Sequence, residues 1–259
     1  MSEPHDTPPL FLKGKSGGTI AYRNRPCKPE HTGPGILFCG GYRSNMGGNK
    51  AVALDRYSQS AGCEFTRYDY EGHGASSGQF EEGTIGRWFE NTLDIFNQLT
   101  SSSQIVVGSS MGGWMAMLLA RAMPSHVSAL VLIAPASDFP SRLIWPNLSE
   151  GARKNLIDKG LMMRPSEFAD GDYPYTWQMI EESKNHNLLT GDKVAYDGPV
   201  HVFIGDNDDV IPVAHAQATA NAFPANNVTL HIIAGGDHRL SKPDDLLRLT
   251  SLLGGLLKV

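Results

Sequence analysis

The chain has 259 residues, of which 41% are hydrophobic, and its formal net charge at pH 7 is -5. This length suits one large α/β domain or two small ones, with enough apolar side chains for a sizeable core. The acidic balance and the absence of a basic run argue against a nucleic acid partner. Three scattered cysteines are too few for a disulfide framework or a zinc cage, so we expect no metal.

The N-terminus shows no targeting signal. Its first ten residues contain no basic segment with an apolar core behind it, and no Arg-rich amphipathic stretch. No unbroken apolar run along the chain reaches the length of a transmembrane helix. We therefore expect a cytoplasmic protein that does not insert stably into a membrane.

Strands and helices alternate along most of the chain. The predicted strands are two short antiparallel ones within residues 10–23, followed by 35–39, 64–68, 105–107, 127–134, 200–204 and 228–233. The predicted helices cover about residues 50–61, 84–99, 114–121, 213–222 and 243–257. Because several of these strands are almost wholly apolar, we expect helices on both faces of the sheet. The pattern predicts a doubly wound, mostly parallel α/β sheet in a single domain over residues 1–259.

One stretch, from about residue 137 to 197, interrupts this alternation. It is too long for a connection between sheet elements, and we interpret it as a small helical cap over the strand ends. Its aromatic side chains either line the substrate site or pack the interior of the cap itself. Trp145 and Trp177 are our candidates for substrate-binding residues in this cap.

The segment Gly108-Ser-Ser110-Met-Gly112 follows a short apolar strand and precedes a helical stretch. A serine at such a sharp turn between glycines is typical of a nucleophile, because the turn exposes its hydroxyl beside a helix N-terminus. The alternative is an ordinary glycine-rich turn between a strand and a helix. The spacing favours Ser110 as the nucleophile, with Ser109 directed back towards the sheet.

An activated serine needs a general base, and a third group has to orient that base. Among nine histidines, His238 is favoured because it follows a strand directly, in a loop where two glycines let a side chain reach a site. His201 and His231 lie within strands and are expected to be structural. His73 is expected to brace its glycine loop, and His215 is expected at the surface.

The orienting acid is expected just after another strand, in the segment Gly205-Asp206-Asn-Asp208-Asp209. The carboxyl end of a parallel strand is where folds of this class place ligand-binding residues. Three neighbouring acids also occur in ordinary solvated turns. The Gly-x-x-Asp-x-x-Ile-Pro spacing singles out Asp208.

An oxyanion hole requires two N–H donors near the nucleophile. We expect the first from the backbone of Met111, directly after the serine, and the second from Tyr42 in the loop Gly40-Gly41-Tyr42. Gly41 would let the backbone approach the substrate. Each donor of this kind contributes on the order of 3 kcal/mol of transition-state stabilisation.

Taken together, these motifs resemble the alpha/beta-hydrolase superfamily over essentially the whole chain. Within it they are closest to the palmitoyl-protein thioesterase and mycophenolic acid acyl-glucuronide esterase group. The stretches are Gly41-Tyr42-x-Ser44, Asp69-Tyr70-x-Gly72-x-Gly74, Gly108-Ser-Ser110-Met-Gly-Gly-Trp114, Gly205-x-x-Asp208-Asp209-Val-Ile-Pro212, Asp237-His238-Arg239 and, specific to that group, Gly83-Thr-Ile-Gly-Arg-Trp88. The resemblance implies an alpha/beta-hydrolase fold and cleavage of esters or thioesters, with Ser110, Asp208 and His238 as the catalytic triad.

The residues and the resemblance together indicate a serine esterase or thioesterase that removes apolar acyl groups through an acyl-enzyme on Ser110. We expect no organic cofactor, and the substrate would be a small molecule or an acylated protein. A short-chain carboxylesterase, a lactonase, a peptidase and a C–C bond hydrolase remain open, as does a hydrolase fold used only for binding. The sequence does not indicate an oligomeric state.

Overall fold

A computed structural model describes residues 8–165 and 172–258 of the chain. Alternating strands and helices build one large sheet and a cap above it. The strands are β1 (Leu10–Lys13), β2 (Thr19–Arg25), β3 (Gly35–Cys39), β4 (Phe65–Tyr68), β5 (Gln104–Ser109), β6 (Val127–Ile133), β7 (Leu161–Arg164), β8 (Tyr173–Thr176), β9 (Val200–Gly205) and β10 (Val228–Ile233). The helices are α1 (Asn49–Ala61), α2 (Ile85–Leu99), α3 (Met111–Ala122), α4 (Glu150–Lys159), α5 (Trp177–Ser183), α6 (Val213–Asn221) and α7 (Pro243–Leu256).

The large sheet has the strand order β1-β2-β4-β3-β5-β6-β9-β10. β2 pairs antiparallel with both β1 and β4, while every other neighbouring pair is parallel. The predicted fold class, a mostly parallel α/β sheet, is therefore confirmed. Because the parallel strands run in one direction, their carboxyl ends lie at one edge of the sheet, where ligand sites of such folds form.

The sheet is covered on both faces, as its apolar strands predict. Along β3 the buried side chains alternate between two apolar clusters: Leu37 and Cys39 belong to one, Ile36 and Phe38 to the other. Side chains of α2, α3 and α6 pack in the first cluster, and those of α1 and α7 pack in the second. Because successive side chains of β3 point to opposite faces and both faces are covered, β3 is buried along its whole length.

The cap is mixed in structure, so the prediction of a helical insertion is incomplete. It contains α4 and α5, but also an antiparallel hairpin in which Met162 of β7 faces Tyr175 of β8. The methionines of β7 are good helix formers, and Pro174 interrupts the strand-forming residues Tyr173, Tyr175 and Thr176 of β8, so the pattern did not indicate a hairpin. Residues 166–171 of the predicted insertion lie outside the described residues.

The two ends of the cap are tied together by one carboxylate. Asp138 accepts the backbone N–H groups of Leu188 and Leu189, each at 2.8 Å at the nearer oxygen, across about 50 residues of sequence. Its φ of 55° lies in the left-handed region.

In the part of the chain that is described, no helix is long and apolar enough to cross a membrane.

Candidate active site

The turn between β5 and α3 carries Ser110 in a strained conformation. Its φ is 55° and its ψ is -120°, a region that side chains with a Cβ rarely occupy. The turn is held by the Ser110 N–H, which donates to the carbonyl oxygen of Ile133 at 2.9 Å. Ser110 is partly exposed at the tip, whereas Ser109 is buried at the end of β5.

Glycines on either side of this turn allow a close approach that no other residue permits. A Cβ at Gly108 would lie 2.2 Å from the carbonyl oxygen of Gly112, and one at Gly112 would lie 2.1 Å from that of Cys39. Both contacts are with backbone atoms, which cannot turn away as a side chain does. The first turn of α3 is therefore pressed against the ends of β3 and β5, which brings the N-terminus of this helix to the site.

The acid and the base of the predicted triad are in contact. His238, in the loop after β10, lies with its Nδ1 2.9 Å from Oδ2 of Asp208, in the loop after β9. A carboxylate only accepts, so Nδ1 donates and Nε2 becomes the basic nitrogen. The side chain of Asp208 is fully buried, and its other oxygen accepts the N–H groups of Val210 and Ile211 at 2.9 and 2.8 Å.

Two hydrogen bonds join the loop that carries Asp208 to the loop that carries His238. Asp206 accepts the N–H of Gly235 at 2.7 Å, and the N–H of Asn207 donates to the carbonyl oxygen of Gly236 at 3.0 Å. Asp206 thus holds the histidine loop, while Asp208 contacts the imidazole. The structure therefore brings Asp208, the residue that the spacing favoured, to the imidazole, and its role as the orienting acid stays a prediction.

Lys50 of α1 supports the far side of the histidine loop, a contact that no sequence pattern predicted. Its ammonium group donates to the backbone carbonyl of Arg239 and lies 3.3 Å from the hydroxyl of Ser241. Burial lowers the pKa of Lys50 to about 8. His238 therefore lies on a loop that is held on both sides.

The loop of residues 40–44, called the oxyanion loop from here on, lies directly against the serine turn. A Cβ at Gly41 would be 3.3 Å from both Ser110 Cβ and the carbonyl oxygen of Ser109. Within the described part of the chain, the N–H of Tyr42 has no hydrogen-bond partner. The N–H of Met111 is the first of α3 and has no helical acceptor. Two backbone donors thus border Ser110.

The side chain of Tyr42 fastens the oxyanion loop to the cap. Its hydroxyl donates to the carbonyl oxygen of Pro174 in β8. Its ring packs edge-on against Phe80 and Tyr173, with centroids 4.8 and 5.7 Å apart. Burial raises the pKa of Tyr42, which keeps the phenol protonated as a donor. This contact joins residues 132 positions apart and leaves no trace in local sequence.

The two tryptophans proposed for the substrate site pack against each other. The ring centroids of Trp145 and Trp177 are 5.1 Å apart. Arg153 lies 5.3 Å above the first ring and Lys184 lies 5.7 Å from the second. These contacts are internal to the cap, and their role in substrate binding stays a prediction.

Two other histidines differ from the sequence expectations or extend them. His215 is buried in α6, so its predicted surface position is wrong; Ala216, Thr219 and Ala220 are buried with it and form the face of the helix that packs in the core. Burial lowers its pKa to about 4. His73 braces a loop as predicted, and the structure shows that the loop it contacts is the oxyanion loop. Among the described residues, no three His, Cys, Asp or Glu side chains gather as a metal site.

Comparison with known proteins links this architecture to a large family of enzymes. A model of the alpha/beta hydrolase family matches residues 36–249 of the chain. The mitochondrial palmitoyl-protein thioesterase ABHD10 of Bos taurus is 33% identical over 256 residues, which cover 98% of this chain and 81% of that protein.

Solved structures agree with this similarity. A putative hydrolase from Agrobacterium vitis superposes with a TM-score of 0.89 at 35% identity, covering 96% of this chain and 97% of the other. Alpha/beta hydrolase domain-containing protein 10 from mouse gives a TM-score of 0.88 at 31% identity, covering 97% and 99%. Both similarities extend over the cap as well as the sheet.

Proposed function

Because the chain belongs to the alpha/beta hydrolase family, we propose that it cleaves acyl esters or thioesters through a covalent acyl-enzyme on Ser110. The observation that carries this proposal is the 2.9 Å hydrogen bond between His238 and Asp208, at the same sheet edge as the strained serine. A strained turn, a buried acid and an oriented imidazole have no shared purpose in a protein that only binds.

In the acylation step, Nε2 of His238 removes the hydroxyl proton of Ser110 as the serine oxygen attacks the acyl carbonyl. Asp208 keeps the imidazole in the productive tautomer and stabilises the imidazolium. The carbonyl oxygen becomes an oxyanion, which accepts the N–H groups of Met111 and Tyr42. The tetrahedral intermediate then expels the alcohol or thiol, which takes the proton from His238.

Deacylation repeats the same steps with water as the nucleophile. His238 takes a proton from water, the resulting hydroxide attacks the acyl carbon, and the second oxyanion again uses Met111 and Tyr42. Collapse of this intermediate releases the carboxylic acid, and the proton on His238 returns to Ser110. Over the whole cycle one water is consumed, the acyl substrate is split into a carboxylic acid and an alcohol or thiol, and Ser110 and His238 return to their starting state.

We further propose an apolar acyl group as the preferred substrate. The thioesterase name of the similar Bos taurus protein supports this choice, as do the aromatic side chains of the cap, with Trp145 and Trp177 as candidate contacts and Gly41 as the point of backbone approach. A short-chain carboxylesterase is the second candidate. The contact between the two indoles favours it, because a cap that packs on itself leaves less room for a long chain.

The mechanism is tested by covalent labelling and turnover together. A fluorophosphonate probe should modify the wild-type protein at Ser110, as read by peptide mass spectrometry, and should not modify Ser110→Ala. Turnover of p-nitrophenyl butyrate should fall by several orders of magnitude in Ser110→Ala. The matched control, Ser109→Ala, should retain most activity. An adduct on Ser109, or hydrolysis that survives Ser110→Ala, would rule the mechanism out.

A further inference from the structure

The direction of the Tyr42 N–H is set by the peptide group that joins Gly41 to Tyr42. The carbonyl oxygen of that peptide accepts two hydrogen bonds from Ser44, one from its backbone N–H at 3.1 Å and one from its hydroxyl at 2.8 Å. In a planar trans peptide the N–H points opposite to the carbonyl oxygen. Ser44 therefore fixes the direction in which the Tyr42 N–H points.

The following peptide group, between Tyr42 and Arg43, is held by His73. The N–H of Arg43 donates to Nε2 of the imidazole at 3.2 Å, while Nδ1 lies 3.3 Å from the carbonyl oxygen of Glu71. A carbonyl only accepts and a backbone N–H only donates. Hence Nδ1 carries the ring proton, and Nε2 offers its lone pair to the oxyanion loop.

The surroundings of His73 keep it in this state. The ring is buried among Tyr70, Phe80 and Trp88, at centroid distances of 5.4, 4.8 and 5.3 Å. Burial lowers the pKa of His73 to about 4, so the imidazole is neutral near pH 7 and keeps its lone pair. Close packing of three rings also fixes the orientation of the imidazole.

Arg43 shows why the oxyanion loop needs such support. Its φ is 55°, a left-handed conformation that costs free energy for a residue with a side chain. Contacts offset this cost: the backbone bond to His73, a side-chain bond to the carbonyl oxygen of Asp172 at 3.1 Å, and the guanidinium 5.4 Å above Phe80. Without them the loop would relax, and the neighbouring Tyr42 peptide would turn with it.

We propose that His73 and Ser44 are positioning residues that hold the two peptide groups flanking Tyr42 and so aim its N–H at the oxyanion. The inference rests on the proposed acyl-enzyme mechanism, since that N–H is used only when a tetrahedral intermediate forms on Ser110. His73 acts through the backbone of Arg43, and Ser44 acts through the carbonyl of Gly41. Loss of either therefore weakens transition-state stabilisation more than it weakens substrate binding.

The test compares four variants for kcat and KM on p-nitrophenyl butyrate, and for inhibition by a butyl trifluoromethyl ketone, whose hemiketal oxygen occupies the oxyanion hole. His73→Phe keeps an aromatic ring but loses the acceptor, and Ser44→Ala loses the hydroxyl. Ser44→Thr restores the hydroxyl. His215→Phe is the matched control, because it replaces the other buried histidine whose pKa is lowered to about 4.

We expect kcat to fall about 10- to 100-fold in His73→Phe, because misdirecting one oxyanion donor should cost no more than removing it, which lowers kcat by about 100- to 1000-fold. Ser44→Ala should lose about 10-fold, because the backbone N–H of Ser44 still holds the carbonyl. KM should change by less than about threefold in both, and the inhibition constant of the ketone should rise in parallel with the loss in kcat/KM. Ser44→Thr and His215→Phe should keep kcat within about twofold.

Two results would overturn the inference. One is wild-type kcat in a folded His73→Phe or, should that variant not fold, in Ser44→Ala. The other is a fall in kcat that leaves the affinity for the ketone unchanged, which would mean that the residues only support the fold. The wild-type protein distinguishes a failure of this inference from a failure of the acyl-enzyme mechanism. If the wild type hydrolyses the ester and is labelled at Ser110, the mechanism holds and only the positioning role of His73 and Ser44 is refuted.

Discussion

Replacing Gly112 by alanine is expected to damage the active site from inside the first turn of α3. The added Cβ would lie 2.1 Å from the carbonyl oxygen of Cys39 and 2.5 Å from that of Gly40, whereas ordinary contacts are 3.4–4 Å. Both neighbours are backbone atoms, so the helix and the oxyanion loop have to separate by about 1 Å. A displacement of this size between nucleophile and donors costs roughly 100-fold in kcat.

The stability of this variant should fall as well. Alanine favours a helix by about 1 kcal/mol over glycine, but overpacking of this kind costs about 1–3 kcal/mol. The free energy of unfolding should therefore drop by up to about 2 kcal/mol, measured by urea denaturation. Turnover of a p-nitrophenyl ester by the fraction that remains folded gives the kinetic loss.

Gly255→Ala is the matched control, since a Cβ at that position in α7 meets nothing within 4 Å. It should gain up to about 1 kcal/mol of stability and keep full activity. Gly112→Ala with wild-type kcat and an unchanged free energy of unfolding would refute the reasoning. The close approach of α3 to the oxyanion loop would then not be required.

Three further predictions concern other parts of the molecule. Asp208→Asn should lower kcat about 10³- to 10⁴-fold, while Asp206→Asn should cost far less; the reverse order would identify Asp206 as the acid. Burial lowers the pKa of His215 to about 4, whereas in the unfolded chain its pKa is about 6.5. As the pH falls from about 6.5 towards 4, the unfolded state binds a proton that the folded state does not, and the free energy of unfolding decreases. Urea denaturation should show a loss of about 2 kcal/mol between pH 7 and 5 from this group, and His215→Phe should show a correspondingly smaller decrease. Specificity constants for acetyl to dodecanoyl thioesters should first rise roughly fourfold per methylene, which corresponds to about 0.8 kcal/mol of binding free energy, and then level off. If acetyl is the best substrate and Trp145→Ala and Trp177→Ala leave the series unchanged, the short-chain esterase is favoured.

The sheet could be predicted from the sequence because its signals are local. The apolar run of β3 predicts a buried strand, and the glycines around Ser110 predict a sharp turn, each from a few consecutive residues. The pairing of Asp208 with His238 followed from one further rule, that neighbouring parallel strands end at the same edge.

Contacts between distant loops were beyond the reach of such reasoning. The bond from Tyr42 to Pro174 joins two irregular segments, and no periodicity relates them. The contact of His73 with Arg43 depends on the left-handed backbone of an arginine, which no residue preference would suggest. The hairpin of the cap was missed because the residues of β7 favour a helix and Pro174 interrupts β8, and only the pairing of the two segments makes them strands.

The carboxylate of Asp138 has a consequence for changes of length in the cap of this protein. Because it binds the amides of Leu188 and Leu189, the segment between residues 138 and 188 begins and ends at the same place. The entropy of closing such a loop grows only with the logarithm of its length. Insertions, deletions or whole exchanged segments between those ends therefore leave the register of the sheet intact. Asp138 and the two amides it binds are therefore the points at which a cap segment of different length should be joined to the sheet of this protein.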